Sequence, residues 1–130
     1  MMISTKGRYA LRIMSYLAEH DDCGPVSLKD ISQNENIGIK YLEIIVSSLT
    51  KAGLLESVRG KNGGYQLNRK VEDYSLYDIL SASEDTLAPV ACVDKRECES
   101  ADSCKTFRVW KELDDTIEEF LKGKTLKDIL

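Results

Sequence analysis

Histidine and tryptophan occur once each in these 130 residues, and proline only twice. A single histidine leaves few general bases, and no nucleophile–base pair accompanies it. No phosphate-cradling glycine loop leads into a helix either, so an enzyme finds little support. No apolar run approaches the roughly 18 residues that a membrane helix needs. Lys6, Arg8 and Arg12 interrupt the apolar residues near the N-terminus, which argues against a signal-peptide core. The expected address is cytoplasmic, where thiols stay reduced. Internal repeats and low-complexity segments are also missing.

What is there is 42% hydrophobic and 31% charged residues. That is the makeup of one globular domain, or of one small domain carrying an arm. The net charge of −4 argues at first sight against a nucleic-acid partner, but it divides unevenly. Residues 1–70 hold ten Lys/Arg against seven Asp/Glu, a balance of +3. Residues 71–130 hold eight against fifteen, a balance of −7. Such asymmetry hints at two jobs in one chain.

The apolar periodicity predicts a first helix capped by Ser4 or Thr5, with Tyr9, Ala10, Ile13, Met14, Leu17 and Ala18 on its inner stripe. A loop follows at Asp21–Pro25. Ser27 and Asp30 form a capping box for a short second helix, and Ser32–Ile37 is its polar link to a third. That third helix runs from Gly38 to about Ala52, its inner face Leu42, Ile45, Val46 and Leu49. Gly53 stands where a left-handed cap is wanted. Two extended runs, Leu54–Arg59 and Tyr65–Leu67, flank Gly60-Lys-Asn-Gly-Gly64 and read as a β-hairpin. Ser75 and Asp78 cap a further short helix to about Ser83. Residues 84–104 show no helical period and read as an ordered loop. A long helix then presents Phe107, Trp110, Leu113, Ile117, Phe120 and Leu121 on one stripe, and Thr125 caps a last turn.

Three helices followed by a hairpin are the layout of a winged helix-turn-helix. The expected fold is therefore mainly α with a small β-hairpin wing and a long C-terminal helix. Residues 1–83 form the DNA-binding part, 84–104 a cysteine-bearing loop, and 105–130 a dimerisation helix with a terminal turn. In this motif the third helix enters the major groove by its N-terminal end. Lys40, Tyr41, Glu43 and Ile44 are the solvent-facing candidates there. Lys40 and Tyr41 suit phosphates or base edges. Glu43 accepts only from a cytosine amino group and is repelled by phosphate, so it discriminates among sites without adding general affinity. Arg59 and Lys61 place two cations at the wing tip, where an arginine suits a narrow minor groove. The plainer alternative is a winged helix that docks a protein, its cations only solvating the surface.

Cys23 stands apart, while Cys92, Cys98 and Cys104 recur with five residues between each pair. That is neither a zinc-finger spacing nor the tight ferredoxin run. Three spread thiolates suit an iron–sulfur cluster. A zinc site completed by a carboxylate and three unrelated cysteines remain the other readings. Lys95, Arg96 and Lys105 stand close enough in sequence to lower the thiol pKa values.

Ser4–Ala10, Gly24-Pro25, Asp30–Ser32, Tyr41–Glu43, Ser57–Gly60, Gly63–Tyr65, the three cysteines and Trp110 together carry a family likeness. The chain resembles, over nearly its whole length, the IscR-like iron–sulfur cluster regulators. These are winged-helix transcription regulators related to the nitric-oxide-sensing repressor NsrR. The resemblance implies that Cys92, Cys98 and Cys104 ligate a cluster, with 2Fe-2S favoured and 4Fe-4S the alternative. It implies that the third helix and Arg59 contact double-stranded operator DNA and that the long helix forms a homodimer. Cluster-assembly proteins would be the cluster donors. One residue departs from the pattern. The family takes a fourth ligand from a histidine three residues after the third cysteine, and Phe107 stands there. Nitric-oxide-sensing relatives use a carboxylate from the first helix, where this chain has Arg8. Asp94, Glu97, Glu99, Asp102, Ser103, a small molecule or a group from the other subunit stay open. His20 reads as a helix-end cation before a ligand, and Cys23 as a small loop residue open to oxidation.

The long helix's stripe is too large for a small winged-helix core to cover, which also points to pairing with a second copy. The leading expectation is a homodimeric repressor that senses iron–sulfur status and binds palindromic operators. A nitric-oxide or iron sensor on the same scaffold is the near alternative. A cluster-carrying electron-transfer protein, using its winged helix for protein contacts, is the distant one.

Overall fold

The computed structural model describes residues 2–94 and 99–130. Among them α1 spans Thr5–Glu19, α2 Leu28–Glu35 and α3 Ile39–Lys51. The wing is β1, Leu55–Val58, with β2, Gly64–Leu67; then come α4, Leu76–Ser83, and α5, Phe107–Gly123. The caps fall where small polar side chains stand. The hydroxyl of Ser4 accepts from the Gly7 N–H, that of Ser27 from Asp30 and that of Ser75 from Asp78. Each such cap contributes about 1 kcal/mol. At Ser27 only the hydroxyl half of the expected box forms. Both halves form at Thr125, whose hydroxyl and N–H each meet Asp128.

The turn between α2 and α3 is tighter than the sequence suggests. Helix α2 continues to Glu35, so only Asn36, Ile37 and Gly38 link the two helices. Asn36 takes the left-handed conformation, and the Ser32 hydroxyl donates to the Ile37 carbonyl at 2.6 Å. Helix α3 ends as expected, with Gly53 at φ 77°. The Leu54 N–H donates to Leu49 and the Gly53 N–H to Thr50, which closes a Schellman cap.

One apolar core joins α1 to α4 and the wing. Ala10, Ile13, Met14 and Leu17 of α1 meet Ile31 of α2, Leu42, Ile45, Val46 and Leu49 of α3, and Ile79 of α4. Leu126, beyond α5, is fully buried in the same core. Its N–H donates to the Tyr74 carbonyl, and Thr125 pairs with Ser75. The C-terminal turn thus returns to the winged-helix core.

The wing pairs Leu55 with Leu67 through Val58 with Gly64, antiparallel. Val26 adds a backbone bridge to Tyr65 on the other edge of β2. The base of the wing is tied to α3 by a buried tyrosine. The Tyr74 hydroxyl lies 2.9 Å from the Leu54 carbonyl and accepts from the Asn68 N–H at 2.9 Å. Asn68 and Arg69 side chains both donate to the Gly53 carbonyl, and the Arg69 guanidinium stacks over the Tyr74 ring. Burial pushes the Tyr74 hydroxyl above its ordinary pKa. Tyr74→Phe is expected to cost about 1–3 kcal/mol, because the Leu54 carbonyl is left buried without its donor. A urea melt showing a lower midpoint with an unchanged slope checks this.

Candidate nucleic-acid interface and cysteine loop

Helix α3 buries Leu42, Ile45, Val46 and Leu49 and turns the opposite side outward. Ile39, Lys40, Glu43, Ile44, Ser47 and Lys51 are all exposed. Their spacing of one and four residues puts them on one helical face. Tyr41 departs from expectation. It is half-buried against the core, its ring edge-on to Tyr9 at 5.8 Å. Tyr9 in turn carries the Arg12 guanidinium on its face, and Arg12 pairs with Glu35. Tyr41 therefore clamps α3 to α1 and is less exposed than Lys40, Glu43 and Ile44. Arg59 and Lys61 are exposed beyond the end of β1. Neither they nor Lys40 form an ion pair with any described residue. Their charge is available to an external anion.

Gly63 and Gly64 have a steric reason. A Cβ on Gly63 would stand 2.1 Å from the Val58 carbonyl, and one on Gly64 would stand 2.2 Å from that of Val26. Both atoms are backbone and cannot swing away. The wing can close against Val26 only with glycine here.

The cysteines occupy different settings. Cys92 is half-buried on a single 3-10 turn, Ala91–Val93, that packs against α5. Cys98, with Lys95, Arg96 and Glu97, lies outside the described residues. Cys104 is exposed just before α5, its sulfur 3.2 Å from the Thr106 hydroxyl. Hydrogen bonds from the Thr106 hydroxyl and from the Thr106 and Phe107 N–H groups hold its thiol below the ordinary pKa. The helix start lowers it, where the sequence pointed to Lys105. Thiolate is the metal-binding form, so this donor suits a soft metal or cluster. Cys23 behaves oppositely. It is exposed, but a hydrogen bond to Asp22 and that residue's charge push its thiol up. Its exposure favours oxidation, while its diminished thiolate character opposes it. His20 caps α1, its Nδ1 2.8 Å from the Tyr16 carbonyl and its ring stacked on Tyr16.

Of the carboxylates considered as a fourth ligand, Glu99 and Asp102 are exposed, as is Ser103. Asp94 is half-buried and lines a cleft between α4 and α5 with Tyr77, Asp114 and Glu118. Partial burial raises the pKa of Asp114; Lys111 opposes this, and Glu118, Asp115 and Asp94 add to it. Phe107 is half-buried at the start of α5.

Along α5 no residue is fully buried. Leu113 and Phe120 are exposed, and Trp110, Ile117 and Leu121 are half-buried. Ile117, Phe120 and Leu121 join Ile3 and Leu80 around an apolar cleft. The winged-helix core covers the stripe only in part.

A mainly helical winged helix followed by a long helix α5 has counterparts among known proteins. Residues 3–130 match the sequence profile of Rrf2, described as an iron-dependent transcriptional regulator. The chain belongs to the Rrf2 family. It is 37% identical over all 130 residues to the HTH-type transcriptional regulator IscR of Pectobacterium atrosepticum, covering 79% of that protein. Identity to IscR of Escherichia coli is 36%, again over the whole chain and 80% of the relative. Two solved structures superpose well. CymR (YrzC), named the global cysteine regulator of B. subtilis, gives a TM-score of 0.80 at 39% identity, over 99% of this chain and 95% of that one. T. potens IscR gives 0.76 at 38% identity, over 99% and 85%. The relatives are named as transcriptional regulators, and the Rrf2 winged helix is a DNA-binding module. No described helix is long and apolar enough to cross a membrane.

Two features of this Rrf2 chain escape a reading of the sequence. Tyr74, Asn68 and Arg69 lock the wing to α3, through partners up to twenty residues away. Glu84, where the cysteine loop begins, accepts from both the N–H and the hydroxyl of Ser4, at 2.8 and 2.7 Å. A Cβ on Gly7 would stand 2.1 Å from that same carboxylate oxygen. Glycine inside a helix costs about 0.5–1 kcal/mol against alanine. That cost was the available signal that something passes close to Gly7.

Proposed function

We propose that this Rrf2 protein is a cytoplasmic, homodimeric repressor whose operator affinity reports iron–sulfur cluster status. Cys92, Cys98 and Cys104 would hold the cluster, with 2Fe-2S favoured. The observation that carries this reading is the trio of evenly spaced thiols in the loop that leads into α5. It favours the signal of the IscR relatives over the one named for CymR. Bound there, the cluster would supply a redox-labile cross-link whose presence depends on iron and sulfide supply.

The chain's own residues give that cross-link something to act on. The loop is anchored at one end by Glu84 on the first turn of α1 and at the other by α5. Drawing its thiols together fixes the path between these anchors, and hence the angle between α5 and the reading head. With α5 pairing to the same helix of a second copy, two α3 helices stand about 34–36 Å apart, or a multiple of that, on a palindromic operator. Glu43 selects a cytosine, and Lys40, Arg59 and Lys61 meet phosphates or groove edges.

Filter binding over a salt series tests the DNA side. The logarithm of the affinity is expected to fall linearly with log salt, with a slope of about −0.9 per phosphate neutralised. Arg59→Ala is expected to weaken binding by about 1–3 kcal/mol with relaxed sequence preference. A loss that only flattens the salt slope would demote Arg59 to a phosphate contact. Salt-independent binding to every duplex would overturn the reading and favour a protein partner for the winged helix.

A further inference from the structure

Helix α3 leaves two large aliphatic side chains in solvent, Ile44 at 55% and Ile39 at 43% exposure. Neither belongs to the core cluster. Both share the outward face with Lys40, Glu43, Ser47 and Lys51. Two exposed isoleucines on a face that carries lysines offer an apolar contact to a partner surface. The flanking charge says which. Lys40 and Lys51 on this face, with Arg59 and Lys61 on the wing, favour an anionic partner, and the face continues the DNA-binding surface of the winged helix. The apolar group that the major groove offers is the C5-methyl of thymine.

We propose that Ile44, flanked by Ile39, reads a thymine methyl in each operator half-site. This rests on the DNA-binding reading of α3 and adds the identity of a base. Ile44 follows Glu43 directly. Base pairs rise about 3.4 Å apiece, so the thymine lies within about two base pairs of the cytosine that Glu43 selects.

The full-length protein is used to select duplexes from a random-sequence library. In the selected duplex each thymine is then replaced singly by deoxyuridine, which differs only by the methyl. One position per half-site is expected to lose about fourfold in affinity, the value of burying one methyl. Ile44→Ala should bind the thymine and deoxyuridine duplexes alike. Glu43→Ala should keep the thymine preference while losing the cytosine one. Ile44 is exposed, so its truncation leaves folding intact, which circular dichroism checks. Deoxyuridine tolerated everywhere in a specifically bound duplex overturns the proposal alone. So does an Ile44→Ala protein that keeps the full thymine preference. A library that shows no enrichment overturns the DNA-binding reading, and this inference with it.

Discussion

Replacing Gly64 by valine is expected to lower stability by about 2–6 kcal/mol and to abolish specific DNA binding, whereas Gly60→Ala adds backbone strain alone and leaves the wing closed. Both glycines have positive φ, 155° and 117°. They differ in what surrounds them. Around Gly60 there is open space, so only backbone strain is added, of order 1–3 kcal/mol. A Cβ on Gly64 meets the Val26 carbonyl carbon at 2.4 Å, its oxygen at 2.2 Å and the Ser27 nitrogen at 2.8 Å. Relief requires breaking the bridge in which Val26 and Tyr65 exchange two hydrogen bonds of 2.9 and 2.8 Å. Overpacking of about 1–3 kcal/mol adds to two lost backbone bonds of about 0.5–1.5 kcal/mol each. The wing would then part from the segment that leads into α2. Urea melts and filter binding of both variants check the contrast. Equal losses at the two glycines would show that conformation, and not the Val26 contact, sets the requirement.

A single aspartate on α5 is expected to convert the protein to a folded monomer. Phe120 is 60% exposed and Leu113 41%, on a helix with no fully buried residue. In a two-fold interface each substitution acts twice. Phe120→Asp therefore removes two aromatic anchors and desolvates two carboxylates. The dimer dissociation constant is expected to rise about a thousandfold, given two interface anchors lost at about 2 kcal/mol or more apiece. Phe120 lies outside the core that holds α1 to α4, so the far-ultraviolet spectrum should persist. Operator affinity falls with the dimer, because each monomer then binds one half-site alone. Sedimentation equilibrium of both proteins decides this. A wild-type monomer, or an unperturbed Phe120→Asp dimer, would assign the stripe to packing within the chain.

The parts of this molecule legible in its sequence are those governed by local chemistry. The stripe Ala10, Ile13, Met14 and Leu17 is buried as its period requires, and Gly53 takes the left-handed cap. Ser4, Ser27, Ser75 and Thr125 cap the elements they precede. Contacts between residues distant in sequence were not legible. Glu84 reaches Ser4 across eighty residues, and no spacing rule announces it. Tyr41 sits beside exposed Lys40, yet α1 supplies the ring of Tyr9 that claims it. Gly7, Gly63 and Gly64 were visible as parts of a family pattern. Their reason is a close approach that only the folded chain reveals. The site divides the same way. The thiols and wing cations could be read from spacing and charge, while the influence of the α5 start on Cys104 required the helix to be in place.

The proposed hold of three thiols in the loop before α5 on a cluster that governs operator affinity is tested most directly by purifying the full chain anaerobically beside Cys92→Ala/Cys98→Ala/Cys104→Ala. Iron, acid-labile sulfide, absorption and Mössbauer spectra are measured together with operator binding. The expected result is a coloured protein with iron and sulfide in the wild type only. Operator affinities should then differ about 5-fold to 150-fold, the usual range of an allosteric coupling. A colourless wild type containing zinc, or operator affinity identical in the two proteins, would contradict it.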